Sequence, residues 1–185
     1  MRFEDVLGNG RLWAVVYDGE EADALSLLFQ QWNDVTWLRS FFENNLSDLK
    51  SYFKITDINR AVYDTLEDAE DLACLIFDWN PEARLGQLFR YLENSRTYEM
   101  LLGREKAKGE RISGHASWLR IYAIRLEEDT YLVTGGAIKL TKLMEERTHT
   151  LSELGKMEKV RNYLLSQGAH DLDSFEEMIK EDSDD

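Results

Sequence analysis

"SWLRIYAIRLEEDTYLVTGGAIKLTK", from Ser117 to Lys142, is the stretch that decides the fold. In "LRIYAIRL", Arg120, Tyr122 and Ile124 fall on one face of an extended chain, and Leu119, Ile121, Ala123 and Arg125 fall on the other. Successive side chains of a strand point to opposite sides, so this alternation predicts a strand. "EEDT" turns the chain and "YLVTGGAIKLTK" returns it, which predicts a hairpin with strands over 119–127 and 130–142. The pair Gly135–Gly136 predicts a bulge or a close approach of another element.

Upstream of the hairpin, "TDINRAVYDTLEDAEDLACLIFDWN" carries Ile58, Val62, Leu66, Ala69, Leu72, Ile76 and Trp79 at intervals of three and four. That spacing predicts an amphipathic helix over 57–79, capped by Thr56, with its acidic run "DTLEDAED" in solvent. Asn80–Pro81 predicts a second start, and Leu85, Leu88, Phe89 and Leu92 mark a helix over 81–92. Further upstream, "ADALSLLFQQW" predicts a helix over 23–33. Asp34 caps the next helix, which bears Trp37, Phe41 and Phe42. "RLWAVVYD" (11–18) predicts a strand. Thr97–Ala116 loses periodicity and reads as loop or irregular strand with a basic, glycine-containing tip.

Strand, helices, then hairpin and helix predict an α+β domain over 1–168. A small antiparallel sheet of 11–18, 119–127 and 130–142 packs against amphipathic helices. Residues 169–185 form an acidic C-terminal helix or tail, with Leu172, Phe175, Met178 and Ile179 as a short apolar stripe.

The 185 residues are 43% hydrophobic, enough for a sizeable core. No apolar run approaches the roughly 20 residues of a membrane span. With no basic-then-apolar start and the single cysteine Cys74, the expectation is a cytoplasmic protein with a buried, inert thiol. The net charge is −14, but it is unevenly placed. Residues 104–161 hold 12 Lys/Arg against 9 Asp/Glu, and the flanking segments are acidic. A nucleic acid would be repelled by the molecule as a whole, so a phosphate-binding surface has to be local.

The sequence contains no phosphate-binding glycine loop, no paired cysteines and no nucleophile elbow. His115, His149 and His170 lack metal-ligand spacing, and no cofactor or metal is expected. The hairpin's cations Arg120, Arg125, Lys139 and Lys142, interleaved with Tyr122 and Tyr131, can hold phosphates and stack bases. Arg104, Lys106, Lys108 and Arg111 add to that surface. The plainer alternative is an edge strand guarded by Lys and Arg.

Over Leu101–Leu154, in "LLGREKAKG" and "SWLRIYAIRLEEDTYLVTGGAIKLTKLMEERTHTLSEL", the sequence resembles the RelE/HigB-like toxin family. It also resembles uncharacterised Bacteroidetes proteins that pair this hairpin with "QWNDVTWLRSFFENN". The family resemblance implies a β-α-α-β-β plan with an enlarged helical region. It further implies the toxin-like component of a toxin–antitoxin pair: a metal-independent, ribosome-associated mRNA endonuclease silenced by an antitoxin protein. Carried onto this chain, Arg120 and Lys139 would hold the phosphate, Lys142 or His149 would move the proton, and Tyr122 would stack a base. Members of the family are small and basic, whereas this chain has a pI near 4.7. A non-catalytic protein-interaction module on the same fold is therefore the alternative. Adjacent basic and acidic segments also raise the possibility that the tail competes with phosphates for the hairpin.

Overall fold

The computed structural model describes residues 1–77, 85–92, 102–107, 111–112 and 115–183. Trp79, Pro81 and Lys108 lie outside them, as does the side chain of Arg111.

The chain begins with β1 (Arg2–Asp5) and β2 (Leu12–Val16), then α1 (Ala24–Trp32) and α2 (Val35–Asn44). The single turn α3 (Leu46–Asp48) runs into a wider turn, Leu49–Phe53, and α4 (Ile58–Phe77) follows. After α5 (Leu85–Leu88) come β3 (Phe89–Tyr91), β4 (Arg104–Ala107), β5 (Arg111–Ile112) and β6 (His115–Ala116). The hairpin is β7 (Leu119–Glu127) with β8 (Thr130–Ile138), and α6 (Thr148–Ser166) and α7 (Leu172–Ser183) close the chain.

The domain is α+β, a sheet packed against helices. Its main sheet has six strands in the order β1-β2-β8-β7-β4-β3. β2 and β8 run parallel and the other neighbours antiparallel. The sheet is thus larger than the predicted hairpin plus one strand, and it is mixed. Part of the growth comes from the segment read as a helix over 81–92, whose described residues are helical only over Leu85–Leu88. Phe89 is buried and stacks on Tyr131, with ring centroids 4.5 Å apart. Arg90 and Tyr91 pair with Lys106 and Glu105. Ladder pairing and the burial of Phe89 override the local helical spacing here.

Helices cover both faces. On the first, α1, α2 and α4 bury Leu28, Trp32, Phe42, Leu72 and Ile76 with Leu12, Trp118, Ile121 and Val133. On the second, Val160, Leu164, Phe175 and Met178 of α6 and α7 pack on Val15, Ile124, Leu126 and Leu132. Asp23 caps α1 by accepting from the amides of Leu25 and Ser26, and Asp34 caps α2 by accepting from Thr36 and Trp37. At α4 the cap is Asp57 rather than Thr56: its carboxylate accepts the Asn59 amide at 2.9 Å. Trp37 and Phe41 are only half-buried and stack on each other, whereas Trp32 and Phe42 are fully buried. Cys74, expected to be buried, is exposed.

The register of β7 against β8 shifts at Tyr122/Ala123, opposite the glycine pair. Gly135 sits at φ +153°, and a Cβ there would collide with the Glu153 carboxylate of α6. A Cβ on Gly136 would strike Leu28 and the Arg120 carbonyl. The bulge therefore lets α1 and α6 approach the sheet from opposite sides.

A candidate anion-binding cleft

β4 and β7 run side by side, with Arg104 opposite Ile124 and Lys106 opposite Tyr122. Alternation puts Arg90, Arg104, Lys106, Arg120 and Tyr122 on the second face of the sheet. There they line a cleft of about 930 Å³. Lys139 and Lys142, from the segment after β8, complete the cationic wall. Leu88, Leu92, Leu143, Met144 and Leu154 supply apolar surface, and Glu145 is the one carboxylate among the lining residues.

Arg120 is held from behind: its Nη1 donates to the carbonyls of Ser117 and Leu119 at 2.8 and 2.6 Å. Burial lowers its pKa from an ordinary value far above neutrality. Lys139 donates to the Lys142 carbonyl. Burial, and then the neighbouring Arg120, lower its pKa. Lys106 donates to the Leu92 carbonyl at 3.0 Å, and Arg104 lies 3.9 Å from Glu158. Tyr122 is fully buried and its hydroxyl has no hydrogen-bond partner. Burial raises its pKa, so the hydroxyl stays protonated and is a donor without an acceptor. Cations in a partly desolvated concavity suit an anion that carries oxygen acceptors.

The residues singled out in the sequence divide among several places. Arg104, Lys106, Arg120, Tyr122, Lys139 and Lys142 share the cleft, and Arg90 joins them without having been anticipated. Arg90 was hidden because its segment read as helix. His149 does not line the cleft. Its Nε2 lies 3.0 Å from the Ile138 carbonyl and its ring meets Phe41 edge-on, toward the first face. Arg125 is also displaced, because strand parity puts it on the first face, where it lines a separate cleft. No residue of α7 lines the cationic cleft. The expected competition from the acidic end fails because Phe175 and Met178 anchor that helix beneath Phe3 and Trp13.

On the first face, the acidic run of α4 is not wholly solvated. Asp64 and Asp68 are buried. Asp64 Oδ2 is 3.0 Å from His115 Nε2, and Asp68 accepts from the Ser117 hydroxyl. Burial pushes the Asp68 carboxyl up to about 6. His115 stacks on Trp118, which donates to Thr65 at 2.9 Å. The network ties α4 to the entry of β7, next to the carbonyls that hold Arg120. Only the spacing of Asp64 and Asp68 with Ala61, Thr65 and Leu72 could have signalled it.

Among the described residues, no group of three or more His, Cys, Asp or Glu is arranged to hold a metal ion. Among them too, no helix is long and apolar enough to cross a membrane. No family model, no curated protein and no solved structure matches the chain.

Proposed function

We propose that the cationic cleft takes the phosphates of single-stranded RNA and that the chain acts as a toxin-like, metal-independent ribonuclease. The observation that carries this reading is that six basic side chains line one cleft in a protein of net charge −14. Outside the cleft, long-range charge repels a polyanion. Inside it, charge-assisted bonds and exclusion of water favour one.

In this mechanism Arg120 and Lys142 stabilise the charge that grows on the phosphoryl oxygens. Lys139 is the cleft lysine whose pKa is lowered by burial and by the neighbouring Arg120. It takes the 2′-hydroxyl proton as the 2′-oxygen bonds to phosphorus, and returns it to the 5′-oxygen as that bond breaks. The products are a 2′,3′-cyclic phosphate and a 5′-hydroxyl. An antitoxin protein would silence the site, and the ribosome would present the mRNA, as the resemblance implies; cytoplasmic residence belongs to the same reading.

A second reading, a non-catalytic interaction module, is favoured by the position of His149 against the Ile138 carbonyl, which leaves no imidazole among the residues lining the cleft. One experiment separates the two. Purified protein is incubated with a single-stranded RNA in excess EDTA, and the products are resolved by end chemistry. Cyclic-phosphate products that disappear in Arg120→Ala and Lys139→Ala support the nuclease. RNA binding without cleavage leaves the module. Binding that is unchanged by both substitutions refutes the cleft.

A further inference from the structure

Two buried polar groups stand close together where α6 crosses the bulged hairpin. Tyr122 is 0% exposed and its hydroxyl has no hydrogen-bond partner. Glu153, on α6, is 5% exposed. Its Oε1 accepts from Lys156 at 2.7 Å, but its Oε2 is buried without a partner. A donor and an acceptor left dry in one region of the core are costly, and both call for a group that completes them.

The strand register brings the two together. Tyr122 pairs with Gly135 across the hairpin, and directly opposed residues share a face of the sheet. Gly135 has no side chain, and Glu153 Oε2 takes the place that its Cβ would fill. The carboxylate therefore lies beside the Tyr122 ring, which Ala137, Met144 and Met157 enclose. Its charge reaches the phenol. Burial raises the Tyr122 pKa, Arg120 opposes the rise and Glu153 adds to it. Tyr17 also lies near Glu153, but its proton is committed to the Thr134 carbonyl at 2.6 Å. No hydrogen bond joins Tyr122 to Glu153, so a third group has to serve both.

Chemistry narrows that group. It must accept from a phenol O–H and hydrogen-bond a carboxyl oxygen. An anion has no proton to give and is repelled by Glu153. A cation is repelled by Lys156 and Arg120. An apolar molecule satisfies neither atom. A small neutral molecule that both donates and accepts satisfies the two at once. Burial raises the Glu153 pKa, while Lys156 and the Gly136 amide pull it down. Water suits either protonation state, because it donates to a carboxylate and accepts from a carboxyl.

We propose that one buried water, held between Tyr122 Oη and Glu153 Oε2 at the Gly135 bulge, is a fixed part of this domain and fastens α6 to β7. Buried waters of this kind serve otherwise unsatisfied polar groups and are costly to remove. The site stands whether or not the neighbouring cleft takes RNA.

The test is oxygen-17 relaxation dispersion of the full chain, which reads waters held far longer than those of the hydration layer. Only water oxygen contributes, so exchanging hydroxyl protons do not imitate the signal. The wild type should exceed both Tyr122→Phe and Glu153→Leu by the amplitude of a single water. Equal amplitudes in the three folded proteins overturn the proposal. A high-resolution crystal structure of the wild type decides the question even if the variants do not fold. Density within about 3.2 Å of both Tyr122 Oη and Glu153 Oε2 supports the site. A direct Tyr122–Glu153 hydrogen bond, or no density in reach of both atoms, overturns it.

Discussion

The second face of the sheet has two halves built from the same two strands. Toward the far end of β7, Ile124 and Leu126 lie under α6 and α7, packed with Val160, Leu164 and Phe175. Toward its start, Arg120 and Tyr122 stand at the same strand parity and border a cleft, with Tyr122 itself buried beside Ala137, Met144 and Met157. α6 still covers Tyr122 through Met157, so one alternation yields a dry core over most of β7 and a cationic concavity only toward Arg120. Binding groups can be placed on rigid strands without weakening the core, because the two jobs fall on different halves.

The largest expected effect breaks the covered half. Phe175 is fully buried and meets Phe3 and Trp13 edge-on, with centroids 5.4 and 5.3 Å away. Phe175→Ala should cost about 3–5 kcal/mol in a urea melt, the usual loss for a buried aromatic. A loss below about 1 kcal/mol would mean that α7 does not complete the core. For the same reason, deleting residues 169–185 should unfold much of the domain.

The next effect falls on the cleft half. Arg120→Ala combined with Lys139→Ala should weaken single-stranded RNA binding by tenfold or more at low salt, about 1.4 kcal/mol. The slope of log affinity against log salt should become shallower by about 0.7, the share of the one phosphate contact on a single strand that Arg120 makes. An unchanged slope would show that these cations do not contact phosphate.

A pH series sharpens the comparison from the other side of the sheet. The Asp68 carboxyl is raised to about 6, against an ordinary value of 3.8, because burial penalises its charge. Between those values the folded chain holds the proton more tightly than the unfolded chain does. This contribution to stability is therefore present at low pH and is lost as pH rises through about 6. Asp68→Asn should remove the loss, gaining on the order of 1–2 kcal/mol relative to wild type between pH 4 and pH 8. Thermal melts across that range would show parallel curves if Asp68 ionises at no cost.

The smallest effect is expected at the acidic end. Glu177 and Glu181 are exposed on α7, away from the cleft. Glu177→Gln with Glu181→Gln should change RNA affinity less than about twofold at moderate salt, because screening over a Debye length of roughly 10 Å removes distant charge. A gain of tenfold would restore the acidic helix as a competitor for the cleft.

Much of this was legible in residues 117–142. The hairpin, its turn, the bulge at Gly135–Gly136 and the facing of Arg120 with Tyr122 all follow from a period of two. The stripes of α1 and α4 follow from a period of 3.6, and Asp34 was visible as a cap. Phe89–Tyr91 was misread because three residues carry too little periodicity to outvote a helical neighbourhood. Asp64 and Asp68 were read as solvated because charge implies water unless a partner is known, and their partners His115 and Ser117 lie about 50 residues away.

By itself, the sequence determined the local periods, the sign of the charge in each segment and the strand parity of every hairpin side chain, because these depend on neighbours along the chain. Only the tertiary structure decided that β3 and β4 extend the hairpin, that Arg90 joins the cleft and that His149 leaves it. Those outcomes depend on which distant backbone completes a ladder and which helix covers a face. Such long-range choices are settled by burial and pairing across the whole domain, and no local pattern encodes them.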